Sequence, residues 1–156
     1  MQLLHSMFNE DIFFIKNGGR MSLKLAEEFA ALLDSNRFDE ASQLIADKCE
    51  YHYSEGNYQG QKNIINIYRL NHLESKKVFD EMTYSSIVEE MPDENFKINF
   101  TDKIRKGHKW HEFRSFQIIK FKENQIIDIQ HCEIQGEMES LRMFYDRARS
   151  QKINLP

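Results

Sequence analysis

Residues 79–135 read FDEMTYSSIVEEMPDENFKINFTDKIRKGHKWHEFRSFQIIKFKENQIIDIQHCEIQ. Apolar and polar residues alternate along four runs, Phe79 to Glu90, Phe96 to Ile104, His108 to Lys122 and Gln125 to Gln135. A period of two marks strands with one buried side. The joining segments, Met91-Pro92-Asp93-Glu94-Asn95, Lys106-Gly107 and Glu123-Asn124, carry residues suited to tight reversals. Four successive strands on short loops predict an antiparallel meander. Strands of this length are long enough to curl, and the concave side of a curled sheet needs an apolar cover.

The preceding chain supplies that cover. Ser22 is placed to cap a helix in which Leu25, Phe29, Leu32 and Leu33 recur at helical spacing, with Glu27 and Glu28 outward. Asp34-Ser35-Asn36 ends it, and Phe38, Ala41, Leu44 and Ile45 predict a second helix from about Arg37 to Asp47. Cys49 to Ser54 alternates again, with Cys49, Tyr51 and Tyr53 on one face and Glu50, His52 and Ser54 on the other. Gly56, Asn57 and Gly60 signal a turn, and Gln61 to about Ser75 then reads as a third helix with Ile64, Ile65, Tyr68 and His72 on one side.

The 156 residues are one domain's worth of chain, read as an extension over 1–21, a domain over 22–136 and a tail or short helix over 137–156. Gly18-Gly19 breaks the first segment, in which Ile12 to Ile15 form an apolar patch; the last combines Leu141, Met143, Phe144 and Tyr145 with arginines. With 21 basic against 25 acidic residues, a net charge of −4, the chain is too evenly balanced for a dedicated nucleic-acid binder. Twelve Phe, six Tyr and one Trp argue for a packed interior rather than a disordered chain. Cys49 and Cys132 form no CxxC pair, the opening residues lack the pattern of a secretory signal, and no run approaches the length of a membrane span, so a reducing, cytoplasmic setting is expected.

The order of these elements, carried by LAEEFAALLDSNRFDEASQLI, CEYHYS, GNYQGQKNIINIY and KFKENQIIDIQHCEI, resembles the NTF2-like superfamily, especially its SnoaL-like and ketosteroid-isomerase-like branches. The resembling stretch runs from Leu23 to about Glu133. The resemblance implies an α+β, cystatin-like cone: a strongly curved antiparallel sheet packed against three helices, enclosing a pocket and pairing into homodimers through the open sheet face. Ketosteroid-isomerase relatives place an acidic base in the first strand before the turn, whereas this chain has His52, Tyr53 and Ser54 there, with Glu55 nearer the turn.

The residues themselves offer several candidates. His52 is the first for proton transfer, since an imidazole facing a dry pocket exchanges a proton near neutral pH; the plain alternative is a hydrogen-bonded residue at the sheet surface. Alternation puts Trp110, Glu112 and Arg114 on one face and His111 and Phe113 on the other. Glu112 with Arg114 is then either a polar pair in a site or a surface salt bridge. In the last strand His131 and Glu133 are expected to share a face with Ile127 and Ile129, opposite Asp128, Gln130 and Cys132. In an enzyme, His52 would be general acid or base, His131 a second proton carrier, and Tyr53 or Tyr68 a hydroxyl donor to a developing enolate. Tyr68, His72, Trp110, His111, Glu112 and Glu133 are the expected ligand-lining set.

No histidine pair has HxxxH or HExxH spacing, no phosphate-cradling loop follows Gly18-Gly19, and no serine sits in a nucleophile elbow. Neither metal nor cofactor is expected. The leading expectation is a pocket for a small hydrophobic or aromatic molecule, with isomerase, dehydratase or cyclase chemistry as its enzymatic form. Its rival is a non-catalytic assembly or interaction module; a pocket filled by the chain's own side chains favours the rival, an open one with converging polar groups the binder.

Overall fold

The computed structural model describes residues 20–150. The apolar patch at Ile12 to Ile15, the Gly18-Gly19 breaker and the last six residues lie outside them. Helix α1 covers residues 20–34, and α2 is a short helix at Phe38–Ser42. Strands β1 (Ile45–Tyr53) and β2 (Gly56–Gln59) are followed by α3 (Gln61–Val78). Then come β3 (Glu81–Glu90), β4 (Asn95–Lys106), β5 (Lys109–Lys122), β6 (Gln125–Glu133) and α4 (Glu137–Ser150).

The four strands of the meander form as the alternation predicts, within one or two residues at each end. Glu123 and Asn124 both adopt positive φ, 52° and 63°, in the two-residue turn whose twist suits a hairpin. The expected sheet needs correcting, however. Six strands form one open sheet in the order β2-β1-β6-β5-β4-β3, and β1 runs parallel to β6 while every other neighbour is antiparallel. The sheet is therefore mixed, with β2 and β3 as free edges, and it is neither strongly curved nor closed into a cone. Tight turns dictate antiparallel neighbours, but a parallel pair forms between strands remote in sequence and leaves no turn signal.

Three local boundaries also move. Ser22 lies inside α1 rather than capping it, because the helix already includes residue 20. Helix α2 stops at Ser42, and Ile45 opens β1 instead of closing a helix. The Gln61 amide fixes this break by donating to the Ser42 and Ile45 carbonyls at 2.6 and 3.1 Å. Residues 56–59, read as a turn, are the edge strand β2, with Tyr51 opposite Tyr58.

One face of the sheet is covered by α1 and α3, and the core lies between them. Ala26, Phe29 and Leu33 of α1 and Ile64 and Ile65 of α3 meet Ile45, Cys49, Phe96, Ile98, Ile119, Phe121, Ile126 and Ile129 of the sheet. A bulge between Lys120 and Phe121 shifts the β5–β6 register, so Phe121 opposes Ile126 while Lys120 opposes Asp128. Ile126, not Ile127, therefore shares the inner face with Ile129. Helix α4 packs at the far end of the β4–β5 hairpin, where Phe144 stacks on Phe79 at 6.0 Å and on His111 at 5.0 Å.

Candidate functional site

Along the inner face of β4 the in-phase residues are Phe96, Ile98, Phe100, Asp102 and Ile104; on β5 they run from Phe121 and Ile119 to Gln117, Ser115 and Phe113. The face is thus apolar towards the β5–β6 turn and polar towards the β4–β5 turn. A cavity of about 180 Å³ opens over the polar part. Its walls include Phe100, Asp102, Phe113, Ser115, Gln117 and His131 from the sheet, Tyr84 from β3, Tyr51 from β1, Tyr68, Asn71 and His72 from α3, and Asp34 and Phe38 from the α1–α2 corner.

The corner is built by helix-ending chemistry. Asn36 adopts φ 58°, its N–H bonds to Leu33 O at 3.0 Å, and Arg37 N–H reaches Leu32 O at 2.9 Å, the paired bonds of a left-handed helix stop. Asp34 is held in the last turn, where a carboxylate faces the negative end of the helix dipole. One of its oxygens accepts from the Ser86 hydroxyl at 2.6 Å, and Oδ1 is buried without a partner. Burial pushes the Asp34 carboxyl above its ordinary value, the Ser86 hydrogen bond opposing.

Asp102 is more perturbed. Burial, and secondarily the charge of Asp34, push its carboxyl up to about 7 from an ordinary 3.8. No hydrogen bond among the described residues offsets the burial of Asp102.

A second polar group is organised by Gln117. Its side-chain carbonyl accepts from the Tyr68 hydroxyl at 2.7 Å, and its amide nitrogen lies 3.4 Å from both Tyr51 Oη and His131 Nδ1. The amide NH2 can only donate, so in this arrangement His131 Nδ1 is the accepting nitrogen. Burial accordingly lowers the His131 pKa. His72 Nδ1 lies 3.0 Å from the Tyr84 hydroxyl; burial, and then the Lys76 charge, lower its pKa.

Of the residues singled out by sequence, Tyr68, His72 and His131 line the cavity. Tyr53 stands beside His131, ring centres 5.6 Å apart, outside the lining. His111 shares the inner face but is stacked against Phe144, with Nε2 buried and unpartnered. Trp110 is 52% exposed, with the Arg105 guanidinium 5.7 Å from its ring centre. Glu112 pairs with Arg114 at 3.0 Å and Lys103 at 3.4 Å on the outer face, and Glu133 is exposed at the end of β6.

His52 faces away from the cavity. Its Nε2 lies 2.9 Å from Asp128 and 3.6 Å from Glu50, and its Nδ1 lies 3.2 Å from Asn57 Oδ1. The Asp128 bond, then the Asn57 bond, raise its pKa. Glu50, His52 and Asp128 are the group among the described residues whose ligand atoms converge closely enough to hold a metal ion.

The three histidines are therefore expected to titrate in a set order. His52 should protonate above the usual imidazole value of 6.5, and His72 and His131 below it. Imidazole chemical shifts followed by NMR from pH 4.5 to 8.5 would read this, and a His131 midpoint above that of His52 would contradict the assignment of its Nδ1 as the nitrogen accepting from Gln117.

No helix among the described residues is long and apolar enough to cross a membrane. No family model matches the chain, and no curated protein matches its sequence. The fold is that of NTF2-like proteins. An NTF2-like protein of unknown function from Exiguobacterium sp. 255-15 aligns at a TM-score of 0.55 and 11% identity, over 71% of this chain and 98% of its own. TerC, co-crystallised with polyporic acid, aligns at a TM-score of 0.62 and 9% identity, over 81% of this chain and 98% of its own. A Mycobacterium tuberculosis LEH-like epoxide hydrolase aligns at 0.57 and 12%, over 80% and 91%.

Proposed function

We propose that the chain binds a small organic molecule in this cavity and moves a proton to or from it with Asp102. The observation that carries the reading is the pair of carboxylates, Asp34 at the end of α1 and Asp102 on β4, in the walls of a cavity over the polar half of an otherwise apolar, helix-covered sheet face. A carboxyl held near neutrality serves as either acid or base at physiological pH. The Tyr84 hydroxyl stands in the same walls as a donor to a developing oxyanion, while the Tyr68 proton is committed to the Gln117 carbonyl. His131 and His72, whose burial disfavours the imidazolium form, are the further proton carriers. His52, on the other face, takes no part in this reading.

Size restricts the ligand. A cavity of about 150 Å³ accommodates benzene, so about 180 Å³ suits a single ring or a short branched chain rather than a fused-ring skeleton. The rival reading, an interaction module with a self-filled interior, is disfavoured by the open cavity and its converging polar groups. Chemistry on small molecules in proteins of the same fold, such as the epoxide hydrolase above, supports the reading by analogy.

The test is turnover on a panel of small enolisable ketones, epoxides and hydroxylated rings by the parent, Asp102→Asn and His52→Ala. Asp102→Asn is expected to lose activity by about 10²-fold or more, with His52→Ala at the parent rate. Equal rates for the parent and Asp102→Asn would remove Asp102 from the chemistry.

A further inference from the structure

The charge inventory of the cavity is one-sided. Among the described residues two carboxylates line it, and neither a lysine nor an arginine does. Its two histidines do not compensate. His131, buried with Nδ1 on the Gln117 amide, and His72, buried beside Tyr84 and under the influence of Lys76, both have their protonated forms disfavoured. Asp34 Oδ1 is buried with no donor on it among the described residues. Arg69 lies near the rim, but its guanidinium is engaged by Asp39 at 2.6 Å and lies 5.9 Å from the Phe38 ring centre.

Buried carboxylates without a counter-charge are costly. A proton on Asp102 relieves that cost. A cationic guest would do the same while leaving both carboxylates ionised. The remaining walls suit such a guest, since Phe38, Tyr84, Phe100 and Phe113 present aromatic surface, and aromatic faces attract cations.

We infer that the ligand of this cavity is a small organic cation, a protonated amine on one ring or a short chain, whose ammonium sits between Asp34 and Asp102 and whose carbon part lies against Phe38, Phe100 and Phe113. The inference rests on the cavity being a ligand site, as proposed above, and narrows it to one charge class. Anionic ligands are excluded by the same pair of carboxylates, and neutral ones leave the charge uncompensated.

Three probes of nearly the same shape separate the cases: benzylamine, benzyl alcohol and benzoate, titrated by calorimetry at pH 8, where Asp102 is ionised. Benzylamine is expected to bind tighter than benzyl alcohol by on the order of tenfold, with no detectable benzoate binding. Asp102→Asn and, separately, Asp34→Asn should bring benzylamine down to the level of the alcohol. If amine and alcohol bind equally and Ser115→Trp, which fills the cavity, abolishes both, the pocket stands and the cation is overturned. Preference for benzoate overturns it as well. Should none of the three bind, or should Ser115→Trp leave binding intact, the inference falls together with the pocket reading.

Discussion

Asp102→Asn is expected to be more stable than the parent at pH 8, and the gain should shrink as the pH is lowered to 4.5. The carboxyl is pushed up to about 7 in the folded chain and returns to an ordinary 3.8 on unfolding. A raised folded value means that its stability contribution is fully present below pH 3.8 and is lost as the pH rises through 7. Between those limits the unfolded chain releases a proton that the folded chain retains. At pH 8 the accumulated penalty is at most on the order of 4 kcal/mol.

Asn has the same shape and no charge, so it removes the penalty and also relieves Asp34 of a like-charged neighbour. Urea unfolding of both proteins at pH 4.5, 6 and 8 measures the effect. A gain that does not depend on pH, or a loss at pH 8, would show that Asp102 is not held near neutrality by its surroundings. The same substitution is predicted to remove proton transfer. Stability gained together with function lost is the signature of a group kept at a cost for its chemistry, and it also ensures that an inactive variant is not merely an unfolded one.

The second large effect belongs to the apolar half of the same face. Phe121 is 1% exposed, its ring meets Phe96 edge-on at 5.8 Å, and it occupies the bulge position opposite Ile126. Phe121→Ala removes a whole ring from a site hemmed in by the bulge, and a cost of about 3–5 kcal/mol is expected. Phe121→Leu retains most of the volume and should cost markedly less, about 1 kcal/mol. Equal losses for the two would mean that the ring is not packed as described, since cavity size is what separates them.

The meander was legible because its signals are local: alternation marks the faces, and pairs such as Glu123-Asn124 mark the reversals. The β1–β6 pairing was not, because it joins residues 45–52 to 126–130 with no shared turn. The break between α2 and β1 was obscured because Phe38, Ala41 and Ile45 satisfy a helical period by coincidence, and the Gln61 contacts that override it come from a distant helix.

At the site, helical spacing brings Tyr68 and His72 together and strand alternation brings in His131. Asp102 carried a usable signal, since it lies in phase with Phe96, Ile98, Phe100 and Ile104, and a carboxylate on an apolar phase is an anomaly to be explained. Asp34 is harder to find. Asp-Ser-Asn is good helix-ending chemistry, and Asn36 does that work, so nothing local shows that the aspartate also faces a cavity. Its role depends on where α1 docks against β3.

The parallel seam also sets a timetable for biosynthesis. Strand β1 lies between β2 and β6, so a growing chain that has released everything through α3 holds one hairpin and three helices, with the flank of β1 unpaired until residues 125–133 emerge. Tyr51 meets Gln117 and His131 only when that last strand docks. The cavity is therefore a late product of translation: no nascent fragment short of β6 contains all of its walls, because His131 arrives only with that strand.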